Sequence, residues 1–129
     1  MKKKNEQVDD PSSQIARHLP VIFDRAGMMA RLMDDNHLAR MVVESFLGDI
    51  PLQIDLLKGY LETGDDPRVE HQAHTIKGAS ANVGGDRLQS VAHLMEKAAK
   101  AGDFNAVRRY IPELESQFDT LHQAMTKEL

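Results

Sequence analysis

Phe104, Val107, Ile111, Leu114, Phe118, Leu121 and Met125 fall at unbroken alternating steps of three and four residues. Such spacing puts every apolar side chain on one face of a helix and none on one face of a strand, so the C-terminal fifth of the chain can hardly be anything but an amphipathic helix. A second run, Leu38, Met41, Val42, Phe46, Ile50, Ile54, Leu57 and Leu61, keeps the same steps and predicts a helix from near Asp35 to about Glu62. Pro51 and Pro112 fall inside these two helices and predict bends.

The punctuation between the periodic segments divides the remainder. Asp24 is a good N-cap for a short helix reaching about Met33. Asp66 followed by Pro67 reads as the start of a helix ending near Val83, where Gly84 suits the left-handed position after the last turn. Asp86 with Gln89 resembles a capping box for a helix to about Lys100, with Leu88, Val91, Met95 and Ala98 as its apolar face. Gly102 and Asp103 repeat the stop and start. A further short helix is predicted over Ser12–His18, ending before Pro20. The predicted fold is all-α: an antiparallel up-down four-helix bundle over residues 20–129 with short N-terminal helical additions, the loops being only a few residues long. Residues 1–19, basic then acidic, read as a flexible lead or linker. A coiled-coil arm is the alternative for the last helix, which fits a bundle equally well.

Composition narrows function by exclusion. Without cysteine in its 129 residues, the chain has neither disulfides nor Cys-ligated zinc. A formal charge of −4 argues against nucleic acid as the main partner. No apolar run approaches the roughly 18 residues of a membrane span, and the lysines at the start precede no apolar signal region.

Within HQAHTIKGASANVGG, residues 71–85, Gly78 interrupts an otherwise good helix, at about 1 kcal/mol relative to alanine. The buried stripe of this helix runs through Val69, Ala73, Ile76, Ser80 and Val83, and His74 lies roughly 140° from its middle. His74 therefore faces outward, with Gly78 clearing the surface one turn along and Lys77 placing a cation beside the ring. An exposed imidazole, ordinarily titrating near pH ~6.5, carries a free nitrogen nucleophile at neutral pH. Phosphoryl transfer asks chiefly for positioning and charge stabilisation, and an open convex site suits a protein partner better than a small molecule. His71 and His74 lack the spacing and third ligand of a metal site.

His74-Thr75-Ile76-Lys77-Gly78-Ala79-Ser80, followed by Gly84 and Leu88, resembles the signature of histidine-containing phosphotransfer domains, as do the Leu-Pro-Val-Ile-Phe-Asp lead-in and the Ala-Gly-Asp-Phe turn. The resemblance implies that His74 accepts a phosphoryl group from an aspartate of a response-regulator receiver domain and passes it to another receiver. It further implies that Lys77 steadies the phosphoryl group, and that Gly78, His71, Ala81 and Arg87 face the docking partner. Gly84 and Leu88 would be structural. No intrinsic cofactor or metal is implied; the receiver brings Mg²⁺. Ala79 stands where the family usually has a small polar residue, and Ser80 turns inward.

On this reading the chain is a monomeric, cytoplasmic phosphotransfer intermediate without kinase activity of its own, and without membrane contact. The lead-in before Asp24 favours the tail of a hybrid sensor kinase over a free-standing shuttle. An autokinase is disfavoured because Thr75, not an acidic residue, follows the histidine and no nucleotide-binding glycine motif is present. A non-catalytic helical adaptor or dimerisation module is the alternative, in which His74 is incidental.

Overall fold

A computed structural model describes residues 20–129. The predicted flexible lead and the predicted helix over Ser12–His18 lie outside the described residues. Five helices follow in order: α1 (Arg25–Arg31), α2 (Asn36–Thr63), α3 (Asp66–Asn82), α4 (Asp86–Lys100) and α5 (Phe104–Glu128). Helix α3 packs most extensively on α4, α4 on α5 and α2 on α3, while α2 and α5 close the ring. With short connections, this is the expected antiparallel four-helix bundle, and α1 leans on one end of α2.

Local chemistry explains most boundaries. The Asp24, Asp35 and Asp103 carboxylates accept from the backbone N–H groups of Gly27, Leu38 and Ala106, capping α1, α2 and α5. Gly64 ends α2 at φ +71°, and Gly84 takes φ +78° after α3. Two predicted caps shift by one residue. Asp65, not Asp66, caps α3 by accepting from Arg68 N–H, so Asp66 and Pro67 occupy the first turn. Gly85, not Asp86, is the N-cap of α4 and makes no side-chain bond, so the Asp86–Gln89 capping box does not form. Helix α2 continues through Pro51 and α5 through Pro112.

The core is a single apolar cluster in which Ile50, Leu57, Ile76, Met95, Leu114 and Met125 are completely buried. The buried face of α2 begins at Ala39 and Val43, whereas Leu38 and Met41, expected on that face, are exposed. Small Ala39 sits in phase with Val43, Phe46 and Ile50; choosing the larger neighbours tilts the predicted stripe by about one residue, or 100°. On α4, Ala92 and Ala99 lie inside, whereas Ala98, expected on the apolar face, is only partly covered.

The lead-in is sewn to the bundle end nearest Gly84. Asp24 N–H donates to Gly84 O at 2.8 Å, Arg87 N–H to Val21 O at 3.0 Å, and the Arg87 guanidinium to Pro20 O at 2.9 Å. Arg31 donates to the carbonyls of Ala81 and Asn82, satisfying the last turn of α3. A side chain on Gly84 would place Cβ 2.5 Å from Asp24 O, so glycine is required there both by its positive φ and by close backbone approach.

Candidate functional site

Helix α3 buries Val69, Ala73, Ile76 and Ser80 against its neighbours, and that phase leaves His71, His74 and Gly78 on the outer surface. The His74 side chain is 61% exposed, in keeping with the outward position predicted from the helical stripe. A Cβ on Gly78 would meet no atom within 4 Å, so the approach one turn past His74 is open. Ser80 is fully buried and donates to Ile76 O at 2.7 Å, spending its hydroxyl inside the helix.

What holds the ring comes from α4. Glu96 is buried within the helix's packed face, only 5% exposed, yet carries a carboxylate. Its Oε2 lies 2.8 Å from His74 Nδ1, and its Oε1 lies 2.6 Å from Lys77 Nζ. Burial alone would push the Glu96 carboxyl up; hydrogen bonds from Lys77 and His74 outweigh it and hold the group below the ordinary glutamate value. Glu96 is therefore ionised at neutral pH and can only accept hydrogen bonds. Nδ1 must be the donor, so a neutral His74 ring keeps its unprotonated lone pair on Nε2.

One buried carboxylate thus sets the ring's tautomer and positions the lysine. Lys77 is 25% exposed, so its ammonium is held at the rim. Lys100, one turn beyond Glu96 on α4, brings Nζ to 3.9 Å from Glu96 Oε2.

The structure brings together His74 and Lys77 of the sequence-predicted set, with Gly78 beside them and His71 exposed one turn before. Arg87 is not part of this cluster. It lies about 13 Å along α4 from Glu96 at 1.5 Å rise per residue, with its guanidinium bonded to Pro20 O. Ala81 is half-buried near the end of α3 and its carbonyl accepts from Arg31. Gly84 and Leu88 are packing positions, Leu88 being 1% exposed. Glu96 was missed by sequence reasoning. Its signal, a glutamate four residues before Lys100, is that of an ordinary surface ion pair.

The Hpt domain family matches residues 41–125, about two thirds of the chain, and the protein belongs to that family. Among solved structures, histidine-containing phosphotransfer protein B from Pseudomonas aeruginosa is similar, with a TM-score of 0.75 at 23% identity over 83% of this chain and 93% of that one. A candidate histidine-containing phosphotransfer protein from rice gives a TM-score of 0.71 at 18% identity, covering 88% of this chain and 82% of its own. One from maize gives 0.71 at 20% identity, covering 91% and 87%. At these identities the structural likenesses establish the fold. No curated protein sequence matches the chain significantly.

Proposed function

We propose that the protein is a phosphorelay intermediate in which Nε2 of His74 accepts a phosphoryl group from a receiver-domain aspartate and hands it to another receiver. The observation that carries this reading is the 2.8 Å contact between His74 Nδ1 and the buried Glu96 carboxylate, on a ring whose other nitrogen belongs to an exposed side chain. Membership of the Hpt domain family supports the same chemistry.

In the forward step the Nε2 lone pair attacks phosphorus in line as the acyl-phosphate bond breaks, and the electron pair leaves with the aspartate carboxylate. No proton has to depart from Nε2, because Glu96 has already directed it to Nδ1. The phosphorylated ring then carries positive charge, which Glu96 faces directly. Lys77 is the nearby cation for the phosphoryl oxygens. Onward transfer is the reverse step towards a second carboxylate. Both oxygens of the Glu96 carboxylate are engaged, by His74 and Lys77; the reading takes Mg²⁺ to come with the receiver, as the family resemblance implies.

Gly78 and His71 provide the flat outer surface on which a receiver settles, with the bundle acting as a monomer. No described helix is long and apolar enough to cross a membrane; cytoplasmic placement and the absence of kinase activity belong to the same proposal. Incubation with a phosphorylated receiver domain, without ATP or kinase, tests it. Acid-labile label should appear on the wild-type protein and be lost in His74→Gln, with the variant still folded as read by its helicity. Absence of label on the wild type supports the adaptor reading, and ATP-dependent self-labelling an autokinase.

A further inference from the structure

Lys77 is the cation best placed for a phosphoryl group on His74, yet its ammonium is already committed, 2.6 Å from Glu96 Oε1. A phosphoryl group brings about two negative charges at neutral pH, one helical turn from that ammonium. Two anions then compete for a single lysine. Glu96 would keep the charged ring on Oε2, but releasing Lys77 would leave Oε1 without its hydrogen-bond partner on a side chain only 6% exposed, which is unfavourable.

Lys100 answers this conflict. Its Nζ stands 3.9 Å from Glu96 Oε2, too far for a hydrogen bond and near enough for a rotamer change to close the gap. Glu96 precedes it by four residues, the more favourable order for a helical ion pair. The Lys100 side chain is 60% exposed and so free to move. Lys97, on the same helix, is exposed and has no ion-pair partner among the described residues.

We propose that Lys100 is a positioning residue for phosphotransfer: when His74 carries the phosphoryl group, Lys100 closes on Glu96 and releases the Lys77 ammonium to the phosphoryl oxygens. The inference rests on the assignment of His74 as the phosphorylated residue. It makes the site a two-lysine relay around one carboxylate, in which the resting state uses Lys77 to hold Glu96 and the phosphorylated state uses Lys100.

Phosphoramidate tests this without a receiver. Its P–N bond breaks as the Nε2–P bond forms, ammonia leaves, and Nδ1 keeps its hydrogen. The ratio of phosphorylated to free His74 at a set ratio of phosphoramidate to ammonium should fall about two- to five-fold in Lys100→Gln, the range for a partly exposed ion pair. Lys97→Gln should leave the ratio unchanged, and Lys100→Arg should restore it. In ¹⁵N spectra the Lys100 ammonium should become protected from exchange only on phosphorylation, while the unphosphorylated ring keeps its tautomer in every variant. Equal ratios in the Lys100→Gln and Lys97→Gln proteins, with His74 labelled in the wild type, overturn the Lys100 inference alone. Failure of the wild type to label on His74 removes the phosphotransfer reading and this inference with it.

Discussion

Replacing Glu96 with glutamine keeps the shape of the side chain and removes its charge, which separates packing from electrostatics at the site. The carboxylate makes two charge-assisted hydrogen bonds, to His74 and Lys77, each worth about 1.5–3 kcal/mol when formed. Three effects reduce the loss. Neutral glutamine is cheaper to bury, its amide can still bond one partner, and the two donors, the His74 ring and the Lys77 ammonium, reach solvent at 61% and 25% side-chain exposure. The net destabilisation should be about 1–2 kcal/mol, or about 4–8 °C in Tm for a domain near 100 residues. The functional effect is larger in kind, because the glutamine amide can also donate to Nδ1 and so move the ring hydrogen to Nε2, blocking the nucleophile. Calorimetry reads the first effect and ¹⁵N chemical shifts of the His74 ring read the second. A variant that melts like the wild type and retains hydrogen on Nδ1 alone would refute the role assigned to Glu96.

Gly78→Ala should stabilise the protein by about 0.5–1 kcal/mol, since a methyl there meets nothing within 4 Å; thermal melting checks this. Gly78→Phe should slow labelling by a phosphorylated receiver while leaving labelling by phosphoramidate intact, and equal slowing of both would return the glycine to a purely local role. Gly84→Ala should cost about 2–3 kcal/mol in denaturant unfolding, because φ +78° and an oxygen 2.5 Å from the new Cβ both oppose it. Glu96 has a folded-state pKa below its ordinary 4.5, so its contribution is fully present above that value and fades as pH falls through the lower, folded-state one. Unfolding free energies measured from pH 6 downward should therefore converge for the wild type and Glu96→Gln only on the acid side of about 4.5.

How much of this was legible before the structure depends on whether the signal was local. The five helices after residue 20, the turns at Gly84 and Gly102 and the outward face of His74 follow from periodicity and backbone preference within one helix, and they agree with the described residues. One-residue shifts at Asp66 and Asp86 arose because neighbouring residues, Asp65 and Gly85, are equally able to begin a helix. Leu38 and Met41 were placed inside because hydrophobicity outweighed the small, in-phase Ala39. Glu96 was invisible for a different reason. Its partners are twenty-two and nineteen residues away on another helix, so only the docking of α3 on α4 turns a nominal surface pair with Lys100 into a buried anchor for His74 and Lys77. Arg87, in turn, carried a charge whose use is set by the returning lead-in at Pro20 and Val21.

The most direct measurement is the atom on which the label sits after exchange with a phosphorylated receiver. Phosphorus–nitrogen correlation in the ¹⁵N-labelled protein should place the phosphoryl group on Nε2 of His74, with hydrogen retained on Nδ1. Phosphorus on Nδ1, or on any other side chain, contradicts the arrangement of His74, Glu96 and Lys77 on which the account stands.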